Sequence, residues 1–363
     1  MIEERLDRQL RIIGWDQIAL SSGRVCVLGD DDLLASIFAL SASALGINDI
    51  VLIGPHLDPV LAANAYKINP KFSLTFLEGY YTHPAMDDIF SGCGCIVDLS
   101  SYAIANKLAL ETAFRDHLPL VRAFIRETGN ETLLRVFTYM RGREWKELDS
   151  LISAGSFPGR HSDDPVLDSI AAGIALDLVK SVLMGWKVSR ELISFKTRLP
   201  DVMRPDQKVL VVGAGALGNF VGMGLAYLGI KDITFMDPDL VEVTNLNRQV
   251  LFHEAIGRGK AKTLAIRLNE KFGTSAKFHA GYFTGQTDVG TFDAVFDCVD
   301  NFESRIMISE CCRRSGRVLV SGGTSATAGQ AVFYDPESGG GTPAELLGLY
   351  EVVRERKGDR AGR

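Results

Sequence analysis

The sequence predicts an α/β protein with two tandem doubly wound domains, each built around a mainly parallel β-sheet. Three observations lead to this prediction. The chain has 363 residues, which exceeds what one hydrophobic core usually organises. Short β-branched runs alternate with helix-length apolar patterns, as is typical of βαβ units. The same succession of motifs occurs twice, which indicates one fold used twice.

The duplication is clearest at the start of each copy. Residues 24–29 (RVCVLG) and 43–50 are echoed by residues 208–213 (KVLVVG) and 226–233. Each copy begins with a short β-branched run, a glycine turn, a helix-length apolar pattern and a second short run. This is one βαβ unit, and its repetition predicts two parallel sheets with helices on both faces.

The boundary between the copies is expected where turn-forming residues cluster. We predict a first domain over residues 1–190, a linker over 191–207, a second domain over 208–335 and a C-terminal tail over 336–363. The first copy has a closing helix near residues 164–185, whereas the second copy ends before an equivalent helix. For the tail, the sequence predicts one short amphipathic helix followed by a charged end.

Composition and charge exclude several classes of protein. With 46% hydrophobic and 23% charged residues, the chain has enough apolar side chains to form real cores. The formal net charge of −6 provides no cationic field for nucleic acid. We therefore expect no nucleic-acid partner. The most apolar helical stretch, residues 166–186, contains charged residues, so we also expect no membrane span.

The cysteines and the N-terminus predict a cytoplasmic protein. Six cysteines without regular spacing are too few for a disulfide framework, and the sequence contains no C-x-x-C pair. Residues 1–20 carry charges where a signal peptide needs an apolar run.

In the second copy, a glycine-rich turn follows a strand and opens a helix. Glycines let the backbone approach an anion, and the free N–H groups with the helix dipole neutralise it. The predicted phosphate contacts are Gly213, Gly215, Ala216 and Gly218. By itself, the turn is typical of dinucleotide-binding proteins and of other nucleotide-binding proteins.

Three acidic residues follow where strands of the second copy end. Asp237 is placed to accept hydrogen bonds from a ribose hydroxyl, and Asp239 lies two residues further on. Asp300 ends a later strand at the carboxyl edge of the sheet, where open α/β proteins bind ligands. A lone carboxylate there suits Mg²⁺, which binds one or two protein oxygens together with nucleotide phosphates.

Cationic and amide side chains lie between these acids. The run TNLNRQ supplies Asn245, Arg248 and Gln249, and Lys260 opens the next helix. A nicotinamide enzyme needs no such cluster aimed at a triphosphate. Arg248 or Lys260 alone is more often a solvated surface charge, and Asp300 alone is often a helix N-cap. Their order and joint presence favour a triphosphate site.

Taken together, these motifs resemble the adenylation domain of the ubiquitin-activating enzyme superfamily, which includes the ThiF, MoeB and HesA adenylyltransferases. The resemblance implies a Rossmann-like fold, ATP and Mg²⁺ as cofactors, and attack of a substrate carboxylate on the α-phosphorus of ATP. The substrate would be a small protein or peptide: a ubiquitin-like modifier, a sulfur carrier or a precursor peptide. The matching residues are the glycine turn, Asp237, residues 245–249, Lys260, Asp300, Asn301 and Arg305.

The resemblance also implies a role for each candidate residue. Residues 6–11 (LDRQLR) resemble the helix that lends an arginine to the partner domain's nucleotide, and Arg8 is the matching position. Arg8 would stabilise the transferring or leaving phosphates. Arg248 and Lys260 would bind the phosphates, Asp300 would bind Mg²⁺, Asp237 would bind the ribose, and Asn245 and Gln249 would orient the nucleotide.

The first copy lacks most of these residues. Residues 30–32 place three aspartates where the second copy has its glycine turn, and Gly54 replaces the ribose acid. Of the acids, Asp98 alone is kept. We interpret the first copy as an inactive scaffold that supplies Arg8 across a pseudo-two-fold axis, so that the chain is an internal pseudodimer. An alternative is that residues 30–32 bind a metal.

Relatives that form a thioester use a cysteine beyond the crossover strand, but no cysteine follows Cys312 here. Cys298, Cys311 and Cys312 are predicted to be core thiols, and Cys93 and Cys95 lack the spacing of a zinc site. We therefore expect the reaction to stop at adenylation or to pass the adenylate to an outside nucleophile.

Several alternatives stay open. An NAD- or FAD-dependent oxidoreductase uses the same glycine turn, and a non-catalytic binding module would carry a vestigial site. Residues 323–327 are a candidate for holding the substrate's C-terminal glycines by backbone pairing, or form an ordinary turn. The sequence also leaves open whether the protein forms a homodimer.

Overall fold

The computed structural model divides the chain into two compact units. The first comprises Met1–Asp201 and Leu246–His253, and the second comprises Val202–Asn245 and Glu254–Arg363. The domain boundaries and the linker predicted from the sequence stay predictions. The structure describes residues 2–79, 86–90, 92–128, 131–140, 164–189, 191–197, 205–325 and 328–361.

The first unit contains a seven-stranded sheet with the order β3-β2-β1-β4-β5-β6-β7. Strands β1 to β5 are parallel, whereas β6 and β7 are added antiparallel. Its strands are β1 (Arg24–Gly29), β2 (Asp49–Gly54), β3 (Ser73–Glu78), β4 (Cys95–Leu99), β5 (Leu120–Thr128), β6 (Glu131–Tyr139) and β7 (Ile193–Thr197). Its helices are α1 (Ile2–Leu10), α2 (Gln17–Ser22), α3 (Asp32–Leu45), α4 (Pro59–Ile68), α5 (Met86–Phe90), α6 (Ala103–Arg115) and α7 (Pro165–Leu183).

The second unit contains a six-stranded sheet with the order β10-β9-β8-β11-β12-β13. All its strands are parallel except β13. Its strands are β8 (Lys208–Val212), β9 (Asp232–Met236), β10 (Lys277–His279), β11 (Ala294–Asp297), β12 (Val318–Thr324) and β13 (Gly329–Tyr334). Its helices are α8 (Ala216–Tyr227), α9 (Lys260–Phe272), α10 (Phe302–Ser315), α11 (Pro343–Leu346) and α12 (Leu349–Ala361), with a 3₁₀ turn at Val243–Asn245.

The two sheets correspond strand for strand. The order β3-β2-β1-β4-β5-β6 in the first unit repeats as β10-β9-β8-β11-β12-β13 in the second, and β7 extends only the first sheet. Both hairpins even pair in the same way, with Leu120 opposite Tyr139 and Leu319 opposite Tyr334. The predicted fold class, two Rossmann-like α/β domains, is confirmed, whereas the pseudo-two-fold axis stays a prediction.

Local sequence explains why the elements start and end where they do. The apolar run of β1 is buried from Val25 to Gly29, as expected for a central strand covered on both faces. Helix α4 begins at Pro59 after the N-cap Asp58, whose carboxylate accepts two backbone N–H bonds. Helix α3 ends at Leu45, and its C-cap Gly46 has the left-handed conformation that glycine adopts without steric cost.

The cysteines show one feature that the sequence did not predict. Cys26 and Cys93 are joined by a disulfide, although they lie 67 residues apart. Burial raises the pKa of the Cys95 and Cys312 thiols to about 12, so neither is a ready nucleophile. No helix in the described part of the chain has the length and apolar character needed to span a bilayer.

Candidate active site

The glycine turn joins β8 to α8 at the carboxyl edge of the second unit's sheet. Gly213 has a φ of +97°, and a Cβ there would lie 2.7 Å from the carbonyl oxygen of Cys298. A Cβ on Gly218 would collide with the carbonyl oxygen of Gly213. Neither position tolerates a side chain, so both glycines are required by the close approach of backbone segments.

The N-terminus of α8 faces this turn without a side-chain cap. Ala216 is the first helical residue, and the N-cap residue Gly215 makes no side-chain capping hydrogen bond. The first N–H groups of a helix have no intrahelical partners and carry the positive end of the helix dipole. The turn therefore keeps the features that an anion-binding helix start needs.

Asp237 ties the turn to the end of β9. One carboxylate oxygen accepts a hydrogen bond from the N–H of Ala214 at 2.7 Å, and the other accepts one from the N–H of Asp239 at 2.8 Å. Burial raises the pKa of the Asp237 carboxyl, and these two hydrogen bonds partly oppose that shift. The backbone thus fixes the carboxylate beside the turn.

Lys260 is the first residue of α9 and pairs with Asp239. Its Nζ lies 2.9 Å from the Asp239 carboxylate, and its backbone N–H donates to the Asp239 carbonyl. The Lys260 side chain is 11% exposed, whereas that of Asp239 is 60% exposed. Asp237 bonds both the glycine turn and the backbone of Asp239, and Asp239 bonds Lys260. This series of hydrogen bonds holds a largely buried ammonium group close to the glycine turn.

The run TNLNRQ is divided between the two units. Asn245 is buried in the second unit, where its Oδ1 accepts a hydrogen bond from the N–H of Glu242 at 3.0 Å. Arg248 and Gln249 belong to the first unit with the rest of Leu246–His253. The Oε1 atom of Gln249 is buried and has no hydrogen-bond partner among the described residues.

Two residues that the sequence analysis did not single out lie next to the predicted arginines. Asn247 Oδ1 accepts a hydrogen bond from Arg248 Nη1 at 2.7 Å, and Asn247 Nδ2 donates to Gln9 Oε1 at 3.0 Å. Gln9 and Asn247 are both buried, whereas Arg8 is exposed in the last turn of α1. The sequence feature that could have pointed to Gln9 and Asn247 is their position inside the matching motifs LDRQLR and TNLNRQ.

Asp300 is exposed in the turn between β11 and α10. Asn301, rather than Asp300, is the N-cap of α10, because its side chain accepts the N–H of Ser304 at 2.8 Å. The alternative interpretation of Asp300 as the helix cap is therefore wrong. The roles predicted for the site residues stay predictions. The second unit contains Gly213, Gly215, Ala216, Gly218, Asp237, Asp239, Asn245, Lys260 and Asp300, whereas Arg8, Arg248 and Gln249 lie in the first.

Behind Asp300 lies a buried polar cluster that the sequence analysis missed. Asp297, at the end of β11, accepts a hydrogen bond from Ser321 Oγ at 2.6 Å, and Arg305 Nη1 lies 3.4 Å from it. Burial raises the pKa of the Asp297 carboxyl, and the positive charge of Arg305 opposes that shift. Arg305 also donates to the carbonyl oxygens of Val299 and Gly322.

The first unit contains the corresponding cluster around Asp98. Its carboxylate accepts hydrogen bonds from Arg122 Nη1 at 2.8 Å, from Asn106 Nδ2 at 2.9 Å and from Ser100 Oγ. The side chains of Arg122 and Asp98 are both 0% exposed. This contact gives a structural reason for an aspartate at this position in a copy that lacks the other predicted nucleotide residues.

The two clusters obtain their arginine from different elements. Asp98 lies opposite Arg122 in the β4–β5 register, whereas Asp297 lies opposite Ser321 in the β11–β12 register. In the second unit the guanidinium comes instead from Arg305 on α10. Each of these two clusters therefore pairs a buried carboxylate with a guanidinium group, as burial of a charge requires.

Two of the three aspartates that replace the glycine turn in the first unit have hydrogen-bond partners. Asp31 is the N-cap of α3 and accepts the N–H of Leu34 at 2.6 Å. Asp30 accepts the N–H and the hydroxyl of Ser101 at 2.9 and 2.6 Å. The helix start that lacks a side-chain cap in the second unit therefore has a carboxylate bound to it in the first.

Gly54 stands where the second copy has its ribose acid. A Cβ at Gly54 would lie 2.5 Å from the carbonyl oxygen of Gly29, so the position has no room for an aspartate side chain. The described residues contain no group of three or more metal-ligating side chains. The alternative of a metal site at residues 30–32 gains no support among them.

We expect Asp31→Ala to lower the free energy of unfolding by about 1 kcal/mol, because α3 would lose its N-cap acceptor. Thermal unfolding followed by circular dichroism measures this effect. Asp31→Ser, which keeps an acceptor oxygen, should stay close to the wild type. Equal stability of Asp31→Ala and the wild type would contradict the capping role.

Comparison with known proteins identifies the second copy. Residues 204–356 match the model of the ThiF family. This part of the chain is a ThiF family domain. The family resemblance predicted from the glycine turn, TNLNRQ and the Asp300–Asn301 pair is thereby confirmed for the second copy.

Curated relatives of this ThiF family domain are similar over part of their length. The adenylyltransferase and sulfurtransferase MOCS3 of Arabidopsis thaliana is 35% identical over 136 residues, which cover 36% of this chain and 29% of that protein. Its namesake from Mus musculus is 38% identical over 136 residues, covering 36% and 30%. The chain thus spans less than a third of the length of these two relatives.

A solved structure is also similar to part of the chain. Escherichia coli MccB with ATP is 27% identical, with 36% of this chain and 41% of that chain covered and a TM-score of 0.34.

Proposed function

We propose that the protein is an ATP-dependent adenylyltransferase that activates the C-terminal carboxylate of a small protein or peptide. The observation that carries this proposal is the ThiF family domain with its glycine turn, at which neither Gly213 nor Gly218 can take a side chain. Beside the turn, Asp239 holds the ammonium group of Lys260. The combination favours a bound polyphosphate.

In the proposed reaction, a carboxylate oxygen of the substrate attacks the α-phosphorus of ATP. The bond from the α-phosphorus to the bridging oxygen breaks, which releases pyrophosphate and leaves an acyl adenylate. No covalent bond to the protein is needed, so catalysis depends on alignment and on neutralisation of charge. We assign Lys260 and Arg248 to the phosphates and Asp237 to the ribose, with Asn245 and Gln249 orienting the nucleotide.

Mg²⁺ fits this site through Asp300. The carboxylate is exposed and directly follows Val299, whose backbone nitrogen lies beside the position of a Gly213 Cβ. Mg²⁺ needs only one or two protein carboxylates when nucleotide phosphates supply further oxygens. When bound, it would neutralise phosphate charge.

The first unit is proposed to be a scaffold that supplies Arg8. Three observations support its lack of nucleotide binding: Asp31 caps α3, Asp30 binds Ser101, and Gly54 has no room for a side chain. The names of the MOCS3 relatives favour adenylation over a nicotinamide or flavin oxidoreductase. Cytoplasmic location and the absence of a nucleic-acid partner belong to this proposal as predictions, and it leaves open whether the protein forms a homodimer.

Calorimetry with Mg·ATP, followed by ATP–pyrophosphate exchange with peptides ending in Gly-Gly, tests the proposal. Lys260→Met should reduce the exchange rate by about 100-fold, because phosphate charge would lose a positioned cation. Lys262→Met is the matched control, since Lys262 is exposed on the same helix and its Nζ lies over the ring of Phe278. Its exchange rate should equal that of the wild type.

Other outcomes would decide between the remaining functions. Binding of a nicotinamide or flavin nucleotide without binding of ATP would favour an oxidoreductase. Binding of neither ligand would favour a non-catalytic module.

A further inference from the structure

We propose that Arg305 is the positioning residue that fixes Asp300 relative to the glycine turn. This inference rests on the proposed function, because it concerns the Mg²⁺-dependent use of ATP at the same site. Arg305 is 6% exposed and therefore acts through the residues that it holds.

One guanidinium group joins the carboxyl ends of two neighbouring strands. Arg305 Nη2 donates to the carbonyl oxygens of Val299 and Gly322, each at 2.5 Å. Arg305 Nη1 donates to Ser321 Oγ at 2.9 Å and lies 3.4 Å from Asp297. A planar guanidinium group with several fixed N–H donors can bond all of these acceptors at once. A lysine ammonium group on its flexible side chain cannot reproduce this fixed arrangement of donors.

The held carbonyl belongs to the residue that precedes Asp300. The N–H of Val299 donates to Asp297 Oδ1 at 3.1 Å, so the cluster holds Val299 through both its N–H and its carbonyl group. The same peptide lies against the turn, because a Cβ on Gly213 would be 2.7 Å from Cys298 O and 3.2 Å from Val299 N. A shift of this peptide would therefore move Asp300 relative to the glycine turn.

The first unit provides a matched arrangement without a predicted metal ligand. Arg122 Nη1 donates to the carbonyl oxygen of Ser100 at 3.0 Å, two residues after Asp98, as Arg305 does to Val299 two residues after Asp297. The next residue is Ser101 in the first unit and Asp300 in the second. Replacement of the arginine by lysine is therefore the same chemical change in both units, but the residue after the held carbonyl group is Ser101 in one and Asp300 in the other.

The test compares Arg305→Lys with Arg122→Lys in the full chain. Arg305→Lys should raise the Mg²⁺ concentration needed for half-maximal ATP–pyrophosphate exchange by about 10-fold or more, as is usual when a residue supporting a metal ligand is changed. Binding of ATP measured with EDTA should change much less. Arg122→Lys should lower the melting temperature but keep the wild-type Mg²⁺ dependence.

Ser321→Ala provides a second variant in case Arg305→Lys does not fold, which circular dichroism establishes. It removes the hydroxyl group that bridges Asp297 and Arg305 and should shift the Mg²⁺ dependence in the same direction by a smaller factor. Wild-type Mg²⁺ dependence in a folded Arg305→Lys protein, or in Ser321→Ala where Arg305→Lys fails to fold, would overturn the inference. An equal shift in Arg122→Lys would also overturn it. Failure of the wild type to bind Mg·ATP would instead refute the proposed function itself, and this inference with it.

Discussion

Arg122→Met is expected to destabilise the first unit by about 3–5 kcal/mol, the usual cost of breaking a buried ion pair from one side. Arg122 and Asp98 are both 0% exposed and lie 2.8 Å apart. Removal of the guanidinium group leaves a buried carboxylate that Asn106 and Ser100 can bond but not neutralise. Thermal unfolding followed by circular dichroism should show a markedly lower melting temperature.

A double variant that moves the arginine from the strand to the helix tests whether its charge alone stabilises the cluster. Arg122→Ser combined with Asn106→Arg would give the first unit the arrangement of the second, with serine on the strand and arginine on the helix. Asn106 is placed for this exchange because it already donates to the Asp98 carboxylate. The double variant should be more stable than Arg122→Ser alone. If it is not, the position of the arginine, and not its charge alone, stabilises the cluster.

Gly213→Ala is expected to weaken Mg·ATP binding by about 10-fold or more, since about 1.4 kcal/mol of strain in the bound state lowers affinity tenfold. Two costs combine at this residue. Its φ of +97° is unfavourable for alanine, and the new Cβ would press against Cys298 O at 2.7 Å. Relief of that contact must move either the glycine turn or the peptide before Asp300. Calorimetry with Mg·ATP measures the loss.

Gly229→Ala is the matched control for this prediction. Gly229 also has a positive φ, +83°, but a Cβ there would meet no atom within 4 Å. The variant should therefore show only the conformational cost of about 1–2 kcal/mol in stability, with unchanged affinity for Mg·ATP. Wild-type affinity in folded Gly213→Ala would contradict the role of the turn in binding the nucleotide.

Much of the fold was predictable because it is written in local and repeated patterns. The runs RVCVLG and KVLVVG marked the first strand of each unit, and the repetition predicted two equivalent sheets. The family match at residues 204–356 was likewise predictable from motifs in order along the chain. The disulfide of Cys26 with Cys93 was not, because its spacing carries no local signal.

The two buried polar clusters could not be predicted from the sequence. From the sequence, Asp98 was noted only as the acid kept in the first copy, and Arg305 only as part of a motif match. The sequence did not reveal that Arg122 in one unit and Arg305 in the other neutralise the two acids, since one arginine lies on a strand and the other on a helix. A comparison position by position therefore missed the exchange.

The sequence by itself determined the two α/β units, the glycine turn of the second and the order of its nucleotide motif, because each depends on neighbouring residues. Only the tertiary structure decided that Asn301 rather than Asp300 caps α10 and that Arg305 holds the peptide before Asp300. It also decided that Asp30 binds Ser101, that Asp31 caps α3 and that Gly54 has no space for an acid. The physical reason is that burial requires each charge to have a partner, and the folded chain can supply that partner from any element that reaches it.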